Sequence, residues 1–463
     1  MKYSISRIKL VCFIIITFWT VMLFSQQSDN SGKNEVIEYA NFLKVMTSDN
    51  ESESLKAIKY IESNWKPEFE IMVLELLYFS RSTKSDFKLL DLLHKKTGKN
   101  YGLDFNRWYE WIWSKDEKLA PYYHKFKAQI HSRIDRHFPR YFSDRQDKRT
   151  IRLDEIRWGG VRQDGIPPLR NPTMISAKDA DYLDDDNVVF GIEVNGDFRA
   201  YPKRILAWHE MFTDTVGGIP VAGVYCTLCG TVILYKTELN GTQYQLGTSG
   251  FLYRSNKLMY DKKTQSLWNT IWGKPVVGPL VGKDIQLEYL SVVTTTWGEW
   301  KARHPETTVL DLNTGFSRDY GEGVAYKNYF STDDLMFNVP SPDRSVKYKQ
   351  SILAIRLPEI SDNSIAISTK YLKKHPIYKS EIEGRKFVVL TDKSGANRVF
   401  FTENIDIVDY DGSTIATDNN GVKWNIHENH LENSKGKILK RLHSFNAFWF
   451  GWKAAYPNTI LIK

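Results

Sequence analysis

From residue 26 to about 145 the apolar positions recur at helical spacing. "EVIEYANFLKVM", "SLKAIKYIESNW", "EIMVLELLYFS" and "DFKLLDLLHKKTG" are short amphipathic segments broken by Ser, Asn and Pro67. This is the spacing of paired helices, either a small bundle or the start of a stacked helical repeat that would offer a groove to a partner. Four segments are too few to establish a period. "DFNRWYEWIWSKD" adds Trp108, Trp111 and Trp113, a pattern that fits buried packing better than ligand stacking.

Near residue 150 the pattern changes. From "IRLDEIRWGGVRQDGIPPLRNP" onward, Gly, Pro and Asn-Gly turns separate short runs of Val, Ile, Tyr and Phe, the pattern of β-hairpins. The expected fold class is therefore α+β, an all-α segment followed by a β-rich domain. That β-rich part echoes itself. "WKARHPETTVL" from Trp300 returns as "WKAAYPNTILI" from Trp452, and "SLWN" at Trp268 returns as "VKWN" at Trp424. "AYPKRILAWHEMFTDTVGGIPV" from Ala200 aligns without gaps on "AISTKYLKKHPIYKSEIEGRKF" from Ala366, an offset of 166 that matches Leu206 to Leu372, His209 to His375 and Gly218 to Gly384. Three echoes in one order predict two duplicated lobes. The domain plan is a signal peptide over 1–25, a helical domain over 26–149, a first β-rich lobe over 150–345 and a second, divergent lobe over 346–463.

The leader rests on "MKYSISRIKLVCFIIITFWTVMLFSQQ", with a basic start, an apolar run from Leu10 to Phe24 and a polar continuation. The run is short for a membrane span, so the expectation is an exported, periplasmic or secreted chain with no transmembrane domain after cleavage. The formal net charge is +8, but Lys and Arg are interleaved with Asp and Glu rather than gathered on one stripe. Nucleic acid is not an expected partner. An envelope protein or a small molecule is.

Export changes how the cysteines read. Of three, Cys12 lies inside the apolar run, which leaves Cys226 and Cys229 in "VYCTLCGTVILY". Outside the cytoplasm thiols oxidise unless a metal or a reductant protects them, so a soft-metal knuckle, a redox dithiol and an inert disulfide all stay open. A thioredoxin-type pair opens a helix, whereas here Gly230 and "TVILYK" announce a strand. Strand, Cys-x-x-Cys-Gly, strand is the pattern of a metal knuckle, where glycine permits φ > 0. Two thiolates with one imidazole suit copper before zinc, and His209 in "AWHEMF", next to Glu210, is the nearest candidate third ligand. Under the offset of 166, Cys226 falls on Asp392 and Cys229 on Gly395. The second lobe therefore stands without the pair.

A second constellation, "GTSGFLYRSNKLMYD", packs Ser249, Arg254, Ser255, Asn256, Tyr260 and Asp261 into one stretch. Such residues on a rigid β scaffold often line a site, while Asn and Asp also build turns. No Gly-x-Ser-x-Gly elbow, His-Glu-x-x-His, phosphate loop or dinucleotide fingerprint occurs in the sequence, so no nucleotide or flavin cofactor is expected.

The chain resembles a bacterial family, the domain of unknown function 3179 proteins. "LDEIRWGGVRQDGIPPL", "YCTLCGTVILY", "LGTSGFLYRSNKLMYD", "VVTTTWGEWKARHPETTVL" and "AFWFGWKAAYP" carry the likeness in order from about residue 150 to the end. "KKTGKNYGLDFNRWYEWI" and "KAQIHSRIDRHFPRYF" resemble the HEAT-like helical segment that precedes the domain in some members. The resemblance implies an exported protein with Cys226, Cys229, His209 and the stretch from Arg254 to Asp261 on motif positions. It implies no activity. The leading expectation is soft-metal binding, with thiol–disulfide exchange and an envelope protein- or glycan-binding module as rivals.

Overall fold

The computed structural model describes residues 32–80, 83–142, 148–356 and 364–463. The leader read over residues 1–25 lies outside them. The chain divides into two units, residues up to 146 and residues from 147.

The first unit is helical. After a helix over 32–47 come Glu51–Ser63, Phe69–Phe79, Thr83–Thr97, Phe105–Trp113, Tyr123–Ser132 and the short Pro139–Phe142. Local chemistry sets the boundaries. The Asn50 side chain accepts from the Ser52 amide at 3.0 Å, and Asp104 accepts from the Arg107 amide at 3.1 Å, satisfying donors that a helix start leaves free. Trp108 and Trp113 are buried and Trp108 Nε1 donates to the Gly102 carbonyl at 2.9 Å, so this cluster packs a core. One ion pair lies inside it, Lys127 on Glu75 at 2.5 Å, with the Tyr123 hydroxyl also donating to Glu75 at 2.9 Å.

The second unit is strand-rich, so the whole is α+β. Its hairpins turn where the sequence offers residues that accept left-handed backbone. Asn195 and Gly196 (φ 50° and 80°) join Val188–Val194 to Asp197–Pro202, and Gly217 and Gly218 (φ 53° and 79°) join Met211–Val216 to Ile219–Cys226. Two consecutive positive φ values match the right-handed twist of the paired strands.

One five-stranded sheet runs Val292–Thr296, Val188–Val194, Asp197–Pro202, Thr308–Leu310, Met174–Ser176, with Thr308–Leu310 parallel to Asp197–Pro202. The C-terminal half holds a four-stranded sheet in the order Ser444–Phe448, Ser351–Arg356, Ser364–Ser368, Ile460–Ile462, whose last pair is again parallel. In each, a tryptophan of the helix that follows the first-named strand donates to a threonine: Trp300 to Thr307 at 2.9 Å and Trp452 to Thr459 at 3.0 Å. The halves are not separate bodies. One core joins Met211, Ala222, Val224, Ile233 and Trp268 to Ile352, Ala366, Trp449 and Trp452, so burial in either half depends on the other.

Candidate functional site

Cys226 ends the strand Ile219–Cys226. The chain then makes a single 3-10 turn, Thr227–Cys229, and re-enters the sheet as Thr231–Lys236, with Cys226 paired to Thr231 across the ladder. Gly230 closes the turn in the left-handed region at φ 59°, and a Cβ there would sit 2.9 Å from the Phe448 ring. Backbone conformation and close approach both require glycine. The expected path of strand, tight turn and strand is present.

Both cysteines are free thiols, 2 % and 0 % exposed. Cys229 Sγ donates to the Ser255 carbonyl at 3.0 Å and also lies within hydrogen-bonding reach of Cys226. That contact pulls the Cys226 thiol below its usual range, against burial and the Glu210 charge, with help from the Lys257 amide and ammonium. Burial pushes Cys229 the other way, well above its usual range. The pair is thus asymmetric, one sulfur favouring the thiolate and one holding its proton.

Glu210 and Lys257 stand beside the sulfurs as a buried ion pair. Lys257 Nζ lies 3.2 Å from a Glu210 carboxylate oxygen and donates to the Glu210 carbonyl at 2.7 Å. The Tyr326 hydroxyl donates to the other Glu210 oxygen at 3.3 Å, and the Tyr329 hydroxyl donates to the Leu228 carbonyl at 2.8 Å. Glu210 and Tyr326 are left-handed at φ 55° and 58° without being glycine, whereas Arg254 and Ser255, at φ 48° and 64°, form the two-residue turn between Leu246–Tyr253 and Asn256–Asp261. Non-glycine residues seldom adopt that conformation, and such strain gathers at functional sites. Tyr329, Val339, Tyr348 and Phe450 pack over the thiols, with Tyr326, Phe330, Phe337 and Phe448 at the margin.

The other residues singled out from sequence scatter. His209 is buried, with Nδ1 on the Pro167 carbonyl at 2.9 Å and Nε2 on the Tyr320 hydroxyl at 2.6 Å, and burial lowers its pKa. Both ring nitrogens are already engaged. Among the described residues the one group of three His, Cys, Asp or Glu ligand atoms gathered within 4.8 Å of one another is His427, His430 and Glu432. Cys226, Cys229 and His209 are not so gathered. Asn256 does reach the site: its Nδ2 donates to the Gly451 carbonyl at 3.2 Å, while its enclosed Oδ1 has no partner among the described residues.

Arg254 pairs with Glu155 at 2.6 Å and donates to the Ala454 carbonyl at 2.9 Å. Ser249 donates to the Leu258 carbonyl at 2.6 Å, Tyr260 donates to Asp164 at 2.7 Å, and Asp261 accepts from the Thr264 amide and from Trp268 Nε1 at 2.7 and 3.2 Å. Ser249 braces its own hairpin, Tyr260 ties that hairpin to the segment holding Asp164, and Asp261 fixes the turn that follows. Ser255, which the same stretch also offers, supplies the carbonyl that Cys229 meets; sequence reasoning missed Lys257, Tyr326 and Tyr329. Lys257 had a signal: strand alternation from Asn256 puts it on the face opposite Asn256, a cation among apolar neighbours.

Fold and site together define an α+β protein whose strand-rich unit encloses a Cys-x-x-Cys pair against a lysine–glutamate ion pair. The family model described as "Protein of unknown function (DUF3179)" matches residues 163–459, well over half of the chain, and the chain belongs to that family. No curated protein matches it. No solved structure does either. Among the described residues no helix is long and apolar enough to cross a membrane.

Proposed function

We propose that the protein is a redox dithiol protein of the cell envelope, in which Cys226 and Cys229 cycle between two thiols and one disulfide. The observation that carries this reading is the contact of the two sulfurs beside the Lys257 ammonium. Cys226 is the attacking group. Its thiolate displaces one sulfur of a partner disulfide, which leaves as thiolate, and forms a mixed disulfide. Cys229 gives up its proton, attacks the Cys226 sulfur and releases the partner with both sulfurs reduced. Two electrons pass to the partner, and the reverse sequence oxidises a partner dithiol. The aromatic cover must move to admit a partner sulfur.

Equilibration in glutathione redox buffers, with the thiols trapped by alkylation and counted by mass, tests this. A two-electron transition is expected in the wild type, absent in Cys226→Ser and Cys229→Ser. A potential below about −300 mV marks an inert disulfide and overturns the reading, as does failure to form an intramolecular disulfide.

The convergence of both sulfurs from one short turn favours a second reading, a soft ion held by two thiolates alone, copper(I) before zinc, since zinc needs more ligands than the turn supplies. About one copper per chain in protein isolated with supplemented metal, lost in either serine variant, supports it. No bound metal in the wild type rejects it.

A further inference from the structure

The hairpin of Lys423–Ile426 and His430–Asn433 carries the run His-Glu-Asn-His-Leu-Glu from His427 to Glu432 across its turn. Strand alternation sorts these side chains. Trp424, Ile426, Glu428 and Leu431 are buried, while His427 is exposed and His430 and Glu432 are half-buried. Glu428, between the two histidines in sequence, pins the turn from beneath: it accepts from Arg398 at 2.8 Å, Arg303 at 3.1 Å and Arg441 at 3.2 Å. The His427 amide donates to the His430 carbonyl at 2.9 Å. The outer three side chains therefore stand on a fixed frame.

The His427 and His430 rings are stacked, with centroids 4.5 Å apart and planes at 19°. Glu432 Oε2 lies 3.7 Å from His427 Nε2 and 3.8 Å from His430 Nε2, facing both and too far for a hydrogen bond to either. Unlike His209, neither ring has a hydrogen-bond partner among the described residues. One ligand atom from each of the three residues falls within 4.8 Å of the other two. In a tetrahedral zinc site, bonds of about 2.0–2.1 Å set neighbouring ligand atoms about 3.3–3.4 Å apart. The carboxylate–imidazole spans exceed that by about 0.4 Å, a gap that small rotations of surface side chains close. Partial burial and the neighbouring His430 charge lower the His427 pKa, which favours the neutral ring that a metal requires.

We propose that His427, His430 and Glu432 bind one zinc(II) ion through two imidazole nitrogens and a carboxylate oxygen, with the fourth position left to water or an outside donor. Three protein ligands and one open position mark an accessible zinc site rather than a closed structural one. Imidazole donors disfavour magnesium and calcium, which take oxygen ligands. The site shares no residue with the cysteine pair.

Calorimetric titration of the full chain with zinc chloride and magnesium chloride tests the proposal, in the wild type and in Cys226→Ser/Cys229→Ser. The hairpin site, one zinc per chain, is expected in both. His430→Ala and Glu432→Gln are each expected to weaken zinc about tenfold or more, since even groups that only support a metal ligand are worth about 10–100-fold. His375→Ala and Glu381→Gln, exposed positions elsewhere, are expected to leave it within about twofold. No saturable zinc binding, loss of zinc from the serine variant, binding undiminished by His430→Ala or Glu432→Gln, or magnesium bound as tightly as zinc overturns the proposal.

Discussion

Replacing Lys257 by Met removes a cation that is buried between Glu210 and the sulfurs while keeping the backbone amide that faces Cys226. Both charged side chains are under a tenth exposed, 6 % for Lys257 and 8 % for Glu210, so solvent cannot take over the lost role. Among the described residues the Glu210 carboxylate then keeps the Tyr326 hydroxyl as its side-chain partner. Breaking a buried pair from one side destabilises by about 3–5 kcal/mol, whereas removing both charges is close to neutral. Lys257→Met is therefore expected to lose about 3–5 kcal/mol, and Lys257→Met/Glu210→Gln to recover about half or more of it. Urea denaturation followed by trapping of Cys226 and Cys229 reads this directly, because the thiols report on the unit that holds them. The same variant should raise the Cys226 pKa, since the Lys257 charge that helps to lower it is gone, although the larger lowering contact, from Cys229, remains. A loss below about 1 kcal/mol, or a double variant no more stable than the single, refutes the reasoning.

Three further outcomes are expected. Gly230→Ala places a methyl 2.9 Å from the Phe448 ring in left-handed backbone, which should destabilise by about 2 kcal/mol or more and speed alkylation of the thiols. Burial and the Arg441 charge push His443 down to about 3. Its unfolded value is about 6.5, so its contribution is fully present above that pH and is lost as pH falls toward 3; His443→Gln should flatten the acid side of a stability–pH curve. Arg398 bonds Glu428 at 2.8 Å and Asp392 at 2.9 Å, all buried. Arg398→Met takes from buried Asp392 its arginine partner, while Glu428 keeps Arg303 and Arg441, and should lower stability by about 3 kcal/mol, measurable by thermal denaturation.

What was legible in the sequence follows period and turn chemistry. Helical spacing before residue 145 and Asn-Gly or Gly-Gly turns after 150 became helices and hairpins, since those signals are local. The offset of 166 sets Met211–Val216 on Ile377–Ile382, both of them strands, and the corner after each, at Gly218 and Gly384, has φ near 79° and 74°. The knuckle was legible too, because one glycine and a run of β-branched residues define it. The surroundings of the sulfurs were not. His209 is close in sequence to a plausible metal set, yet its ring is claimed by Pro167 and Tyr320, and Tyr320 is a contact across more than a hundred residues that no spacing rule encodes. Lys257 escaped notice because a lone lysine in a strand is usually solvated, and only its pairing with Glu210 makes it part of a site.

The helix Trp449–Ala455 packs on the cysteine turn, where a methyl at Gly451 would press on Cys229 Sγ at 3.3 Å. More than two hundred residues separate the two. During synthesis, the thiols therefore emerge long before the helix that shields them. Until residues near 451 arrive, any oxidant or thiol nearby has access to both sulfurs, and afterwards only one that can displace the cover. The order in which the chain is made thus gives the pair an early open period and a later guarded one, and its redox state on completion records which reactions won during the first.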